Sequence, residues 1–355
     1  SHLAHGAKML DFFGIGMNEC FTENHIDHRD YQRFREIRDI TYSLGLVEDQ
    51  MLQSKVVPAQ AAILLSDSTE LWDLSQIAQD QAGHNWFGAD FRKARLSYHL
   101  ERLGLWKALT FLNASPDLIV EEDLNARILG GYDVLFVVGD SLPPAAVPAL
   151  EQWVRNGGVL VATAGAGRFD AYRQPNPAWQ TLLGLDARTT EEQATFFRPR
   201  QELPFLPPNA KVTVGGQSFP SIAVKERIKP AAGAAVLASF DDGAPAAISR
   251  TLGQGRVIYV AALPGVAYLW TGLQPPTVPD RGVVTHTVPT HYDAAVAGLL
   301  KQILAGSRFF TPVKTDGGLI DTRLIKGPSA YVLPLSNYNG EVGKPCTVTL
   351  QVAEK

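Results

Sequence analysis

The sequence has 355 residues, 45% hydrophobic and 19% charged, with a formal net charge of −4. That length exceeds what one hydrophobic core usually supports and predicts two or three domains. The charge balance excludes a basic nucleic-acid surface, and no run approaches the roughly 18 apolar residues of a membrane span. Cys20 and Cys346 stand near opposite ends and offer neither a disulfide framework nor a CxxC metal pair; no metal or other cofactor is expected. The chain opens Ser1-His2 without Met, which reads as a tag remnant before a segment of a longer protein.

In chain order, residues 7–15 (AKMLDFFGI) form an apolar run that predicts one buried strand. A polar loop from Asn18 to Asp30 follows. Phe34, Ile37, Ile40 and Leu44 share one face and predict a helix over 31–44, stopped by Gly45. One strand and one helix cannot close a core, so they read as the last unit of something larger. From Ala59 strands and helices alternate. Ala61–Leu65, Asp117–Val120, Tyr132–Val138 and Val159–Thr163 are apolar strands. Helices are predicted over Phe91–Leu103 ending at Gly104, from Glu121 with acids in the first turn, and over Pro143–Arg155. This rhythm predicts an α/β fold with an open, doubly wound parallel sheet. Residues 187–232 break it and read as a β-rich insertion. A hairpin over 246–261 resumes the sheet, a loop spans 263–290, and a helix spans 292–304. Only short strands follow, a small sandwich-like module.

Three stretches together resemble glycoside hydrolase family forty-two, the β-galactosidases with a catalytic barrel, a trimerisation domain and a small C-terminal β domain. They are His5–Phe13, similar to the family's last barrel strand; Tyr132–Leu135 with Val154–Leu160; and Gly253–Tyr259. The resemblance covers nearly the whole chain, and the order and spacing of the stretches carry it. It implies residues 1–52 as the last βα unit of a barrel, 53–306 as an amidotransferase- or flavodoxin-like trimerisation domain with its insertion near 187–232, and 307–355 as the C-terminal β domain. It further implies self-association, most simply as a trimer, and a carbohydrate substrate engaged through the parent barrel. The family's two catalytic carboxylates belong to earlier barrel strands, so no catalytic residue is expected in this chain; glycoside hydrolysis needs such a pair about 5–5.5 Å apart for retention.

The resemblance makes Glu23 and His25 the nearest matches to the family's sugar-contacting Glu and His, with a spacing that is not identical. A plain polar loop would carry the same residues, and with Asp27 and His28 they lack regular metal-ligand spacing. Ala164–Gly167 occupies the place where amidotransferase-like folds carry Gly-x-Cys-x-Gly, yet holds no nucleophile. Asp67 and Asp140, at the ends of two parallel strands, are crevice candidates, although Asp67 and Ser68 equally suit a helix cap. Trp72, Trp86, Phe87 and Trp106 fit sugar stacking less well than core or interface. The rival to the glycosidase reading is a stand-alone amidotransferase-like domain that binds a small ligand; a third is a carbohydrate-binding module.

Overall fold

The computed structural model describes residues 2–9, 15–16, 26–27, 31–80, 95–280, 283–341 and 345–352. Near the start, β1 (Ile15–Gly16) pairs in parallel with β2 (Ile26–Asp27); most of the strand expected over 7–15 lies outside the described residues. α1 (Tyr31–Gly45) forms where the apolar spacing places it. Phe34, Ile37 and Leu44 on its expected face are half-buried and Ile40 is exposed. α2 (Glu48–Leu52) then leads into β3 (Lys55–Val56).

The fold is mixed α/β around a nine-stranded sheet. β4 (Ala61–Leu65), β5 (Asp117–Val120), β6 (Val134–Val137) and β7 (Val159–Thr163) run parallel in the order β7-β6-β4-β5. β6 and β7 are buried throughout, and β4 is buried up to the half-buried Leu65. Continuous apolar runs covered on both faces are what a parallel sheet demands. Each such Val, Leu or Ile contributes about 1.5–3 kcal/mol on burial. The intervening helices are α3 (Asp67–Asp80), α4 (Ser97–Phe111), α5 (Ala126–Leu129) and α6 (Val147–Arg155).

Beyond α7 (Pro177–Leu182) the chain forms β8 (Leu185–Glu192), β9 (Ala210–Val214), β10 (Gln217–Ser221), β11 (Val224–Pro230), β12 (Ala235–Phe240), β13 (Pro245–Leu252) and β14 (Gly255–Val260). β14 joins β7 in parallel, and β13, β12, β9 and β10 continue the sheet antiparallel. The stretch expected as an insertion is therefore divided. β9 and β10 extend the central sheet, whereas β8 and β11 form a separate ribbon. Alternating residues declare a half-buried strand but not its partner, which is why the sequence did not separate the two.

Three helical expectations need correction. Gly104 lies inside α4 rather than ending it. A Cβ there would lie 1.9 Å from the Gly265 carbonyl oxygen, so the glycine is needed for close helix contact, not for a stop. Its partner helix α8 (Pro264–Gly272) occupies part of the expected loop 263–290. Seven of its nine residues are buried, and a helix enclosed all round carries no amphipathic signal. The acids Glu121–Asp123 form a 3-10 turn, and the helix after it is capped by Asn125.

β15 (Val278–Asp280) and β16 (Val283–Val288) form a hairpin, and α9 (Ala294–Ala305) is capped by Asp293. Small antiparallel pairs follow: β17 (Val313–Thr315) with Val348–Leu350, β18 (Ile320–Thr322) with Leu335–Asn337, and β19 (Ile325–Lys326) with Tyr331–Val332. β19 also pairs with β3. The Val57 N–H donates to the Leu324 carbonyl at 2.9 Å, and His5 meets Asp321 at 2.9 Å. Early and late segments are thus woven into one seam. Among the described residues no helix is long and apolar enough to cross a membrane.

Candidate functional site

Ligands of open α/β sheets bind beyond the carboxyl ends of the strands, where neighbouring connections leave in opposite directions. Here that point lies between β4, whose chain proceeds to β5 on one side, and β6, whose chain proceeds to β7 on the other. Protein groups fill its floor. The Ser66 and Thr69 hydroxyls lie 2.9 and 3.0 Å from the Ser141 carbonyl oxygen, and the Ser141 N–H donates to Thr69 Oγ1 at 3.1 Å. Ser66 Oγ accepts from the Thr69 N–H at 3.0 Å and so caps α3. Glu121, from beyond β5, accepts from the Ser68 N–H and hydroxyl at 3.0 and 2.8 Å. A carboxylate at a helix N-terminus is favoured by the dipole. Asp67 is exposed, and among the described residues it has no hydrogen-bond or ion-pair partner. Of the two crevice aspartates, only Asp140 enters a side-chain cluster.

Asp140 is fully buried and meets three guanidiniums: Arg95 at 2.8 Å, Arg173 at 2.7 Å and Arg168 at 3.4 Å. Burial opposes its ionisation, but the charges and hydrogen bonds of Arg95 and Arg173 prevail and hold the carboxyl below its ordinary range. Glu192 joins Arg95 at 3.2 Å and Arg168 at 3.0 Å. Asp73, on α3, is buried 3.5 Å from Arg95, and its oxygens accept no hydrogen bond among the described residues. Desolvation pushes its carboxyl up to about 8, against the pull of Arg95. The arginines come from two separate stretches, residue 95 and residues 168–173, so linear spacing could not reveal this cluster; Asp140 alone was legible.

The turn after β7 is the second place to look. Gly165 stands at the elbow with φ +85°, the left-handed conformation that suits glycine. A Cβ there would lie 2.1 Å from the Tyr98 hydroxyl oxygen. Tyr98 is fully buried, and its hydroxyl finds no hydrogen-bond partner among the described residues. The Gly165 N–H donates to Tyr259 Oη at 3.2 Å, and that hydroxyl donates to the buried Glu226. Thr190 also donates to Glu226, at 2.6 Å, and Arg188 donates to the Ala166 carbonyl at 2.7 Å. Burial first, then the Glu226 charge, raises the Tyr259 phenol well above its usual range. The elbow is filled by protein, with no nucleophile and no room for one.

Glu23, His25 and His28 lie outside the described residues, as do Trp86 and Phe87. The Trp72 indole donates to the Ala171 carbonyl at 2.9 Å, and Trp106 packs on His5 with centroids 5.1 Å apart. Among the described residues no group of three His, Cys, Asp or Glu is placed to hold a metal ion.

The family model of the β-galactosidase trimerisation domain matches residues 59–274. No curated protein matches the chain. Among solved structures, a catalytic mutant of the GH42 β-galactosidase Gan42B from G. stearothermophilus aligns with TM-score 0.62 at 17% identity, over 96% of this chain and 44% of that one. The β-galactosidase of Bacillus circulans sp. alkalophilus aligns with TM-score 0.58 at 18% identity, over 86% and 39%. That of Rahnella sp. R3 aligns with TM-score 0.61 at 17% identity, over 93% and 43%. At such identities the likeness is one of fold, and the chain spans less than half the length of each.

Proposed function

Because this chain belongs to the β-galactosidase trimerisation-domain family, we propose that it serves as the assembly part of a β-galactosidase-like glycoside hydrolase. Its central unit, residues 53–306, has an amidotransferase-like, doubly wound architecture and holds three copies together. Residues 1–52 complete a catalytic barrel as its last βα unit, and residues 307–355 form a sandwich-like C-terminal domain. Catalysis and sugar binding reside in the parent barrel, where Glu23 and His25 contribute substrate contacts. The family match over 59–274 carries this reading. The filled elbow supports it against a stand-alone amidotransferase, since a covalent intermediate needs a nucleophile and Gly165 has no side chain.

The test is sedimentation of the full-length parent and of this chain at tens of micromolar, with turnover of nitrophenyl galactosides followed in parallel. A trimeric, active parent and an inactive chain are expected. A strictly monomeric parent removes the assembly role. Turnover by the pure chain that is abolished by substitutions within it removes the non-catalytic one.

A further inference from the structure

We propose that the groove between the carboxyl ends of α4 and α9 and the strand β17 binds a small aromatic carboxylic acid, a role separate from the assembly reading above. The groove is a cavity of about 520 Å³, and small-molecule sites occupy roughly 300–1,000 Å³. Phe111, at the end of α4, lines it together with Phe309 and Phe310 from the link that leaves α9. Two cations line it as well, Lys301 on α9 and Lys314 on β17.

Both lysines are uncommitted. Among the described residues neither ammonium has a hydrogen-bond or ion-pair partner. Helix carboxyl ends attract cations, but here other donors already serve them. In α4 the carbonyls of Ala108, Leu109 and Thr110 accept from the N–H groups of Leu112, Ala114 and Asn113 at 3.1, 2.8 and 2.9 Å. In α9 the Ile303 carbonyl accepts from Arg256 at 3.1 Å, and the Leu304 carbonyl accepts from the Ser307 hydroxyl at 2.6 Å. Asp316 is the only acid among the described lining residues, and its Oδ1 accepts from the Thr347 N–H at 2.6 Å. With Asp316 counted, two cations still face one anion, so the groove favours an anionic ligand. Solvated lysines alone would select nothing. The rings beside them add apolar surface that a flat aromatic body meets offset or edge to face, while its carboxylate takes charge-assisted bonds from the ammoniums.

The walls are fixed by contacts of their own. The Asn113 side chain stands in for a strand: its Oδ1 accepts from the Thr315 N–H and hydroxyl at 3.1 and 3.0 Å. Asn113 and Ser115 hold φ +62° and +37°, conformations that persist only where the surroundings impose them, and the Ser115 hydroxyl donates to the Thr322 carbonyl at 2.9 Å. The Phe111 ring lies 5.6 Å from Tyr292 and 5.8 Å from Tyr338. The Phe310 N–H donates to Gln60 Oε1 at 2.7 Å. A groove formed in advance spends little on ordering itself around a ligand.

The experiment is isothermal titration calorimetry of this chain with trans-cinnamate, with its neutral counterpart cinnamyl alcohol, and with acetate, which has the acid but no ring. The variants are Lys301→Gln/Lys314→Gln, Phe310→Ala and, outside the groove, Lys326→Gln; circular dichroism first shows that each is folded. Saturable binding of one cinnamate per chain is expected, with cinnamyl alcohol and acetate each weaker by about tenfold or more. The double lysine variant and Phe310→Ala are each expected to weaken cinnamate by about tenfold, and Lys326→Gln to leave it unchanged. Absence of saturable cinnamate binding to the wild type overturns the site. Equal binding of cinnamyl alcohol, or undiminished binding by the double lysine variant, overturns the anion preference, and undiminished binding by Phe310→Ala overturns the aromatic one.

Discussion

At Gly165 the hydroxyl of Tyr98 stands where a side chain would begin. A Gly165→Cys substitution therefore cannot restore an amidotransferase nucleophile. It forces Tyr98 aside and places a branched backbone at φ +85°, costing about 1–3 kcal/mol. Urea unfolding is expected to show that loss. Mass spectrometry of the wild-type chain after exposure to glutamine-analogue chloroketones is expected to show no adduct on residues 164–167; an adduct there contradicts the sealed elbow. Glu101 is a different case of burial. It caps α8 by accepting from the Val266 N–H at 2.9 Å. Desolvation raises its carboxyl from 4.5 to about 8, against the pull of the Val266 and Gly265 N–H groups. Folded chains thus keep a proton that unfolded chains release near pH 4.5, so the folded state binds more protons between those limits. Stability falls as pH rises from about 4.5 to 8, and Asp73 adds to the fall in the same direction. Glu101→Gln is expected to flatten this decline in denaturation midpoints; a slope as steep as the wild type's would mean that Glu101 does not hold the proton.

The start of α3 shows how one element depends on another. Ser66 supplies the cap from within, and Glu121 reaches it from beyond the neighbouring strand. Ser66→Ala is expected to cost about 1 kcal/mol, near the middle of the range for lost caps. Glu121→Gln weakens the charge-assisted bonds to Ser68. Because Ser66 Oγ also lies 2.6 Å from Glu121, the two losses are expected not to add. A double-mutant cycle measuring a coupling of at least about 0.5 kcal/mol checks this, and strict additivity would separate the two caps. Sequence alone reaches elements whose physics is local. Ala61–Leu65, Asp117–Val120 and Val159–Thr163 form where their apolar runs predict. It does not reach decisions made by distant partners. Gly104 resembles a helix stop until Gly265 arrives against it; α8 loses its amphipathic signal because both sides are covered; Glu121 resembles a local helix opener but serves α3. Within the crevice, Asp140 stood out by its place after a strand, whereas Arg95, Arg168 and Arg173 meet only when the sheet has formed.

At the scale of the whole molecule, the seam between β3 and β19 has a temporal meaning. Val56 and its partner Ile325 are separated by about 270 residues of chain. Ribosomes add about 5–20 residues per second, so β3 leaves the exit tunnel tens of seconds before the strand that will cover it exists. During that interval its backbone N–H and C=O groups on that side must be satisfied by water or by a stand-in. The nine-stranded sheet can assemble meanwhile, since β14 ends at Val260. Birth order thus makes the seam a late event, a clasp fastened after the central body is in place.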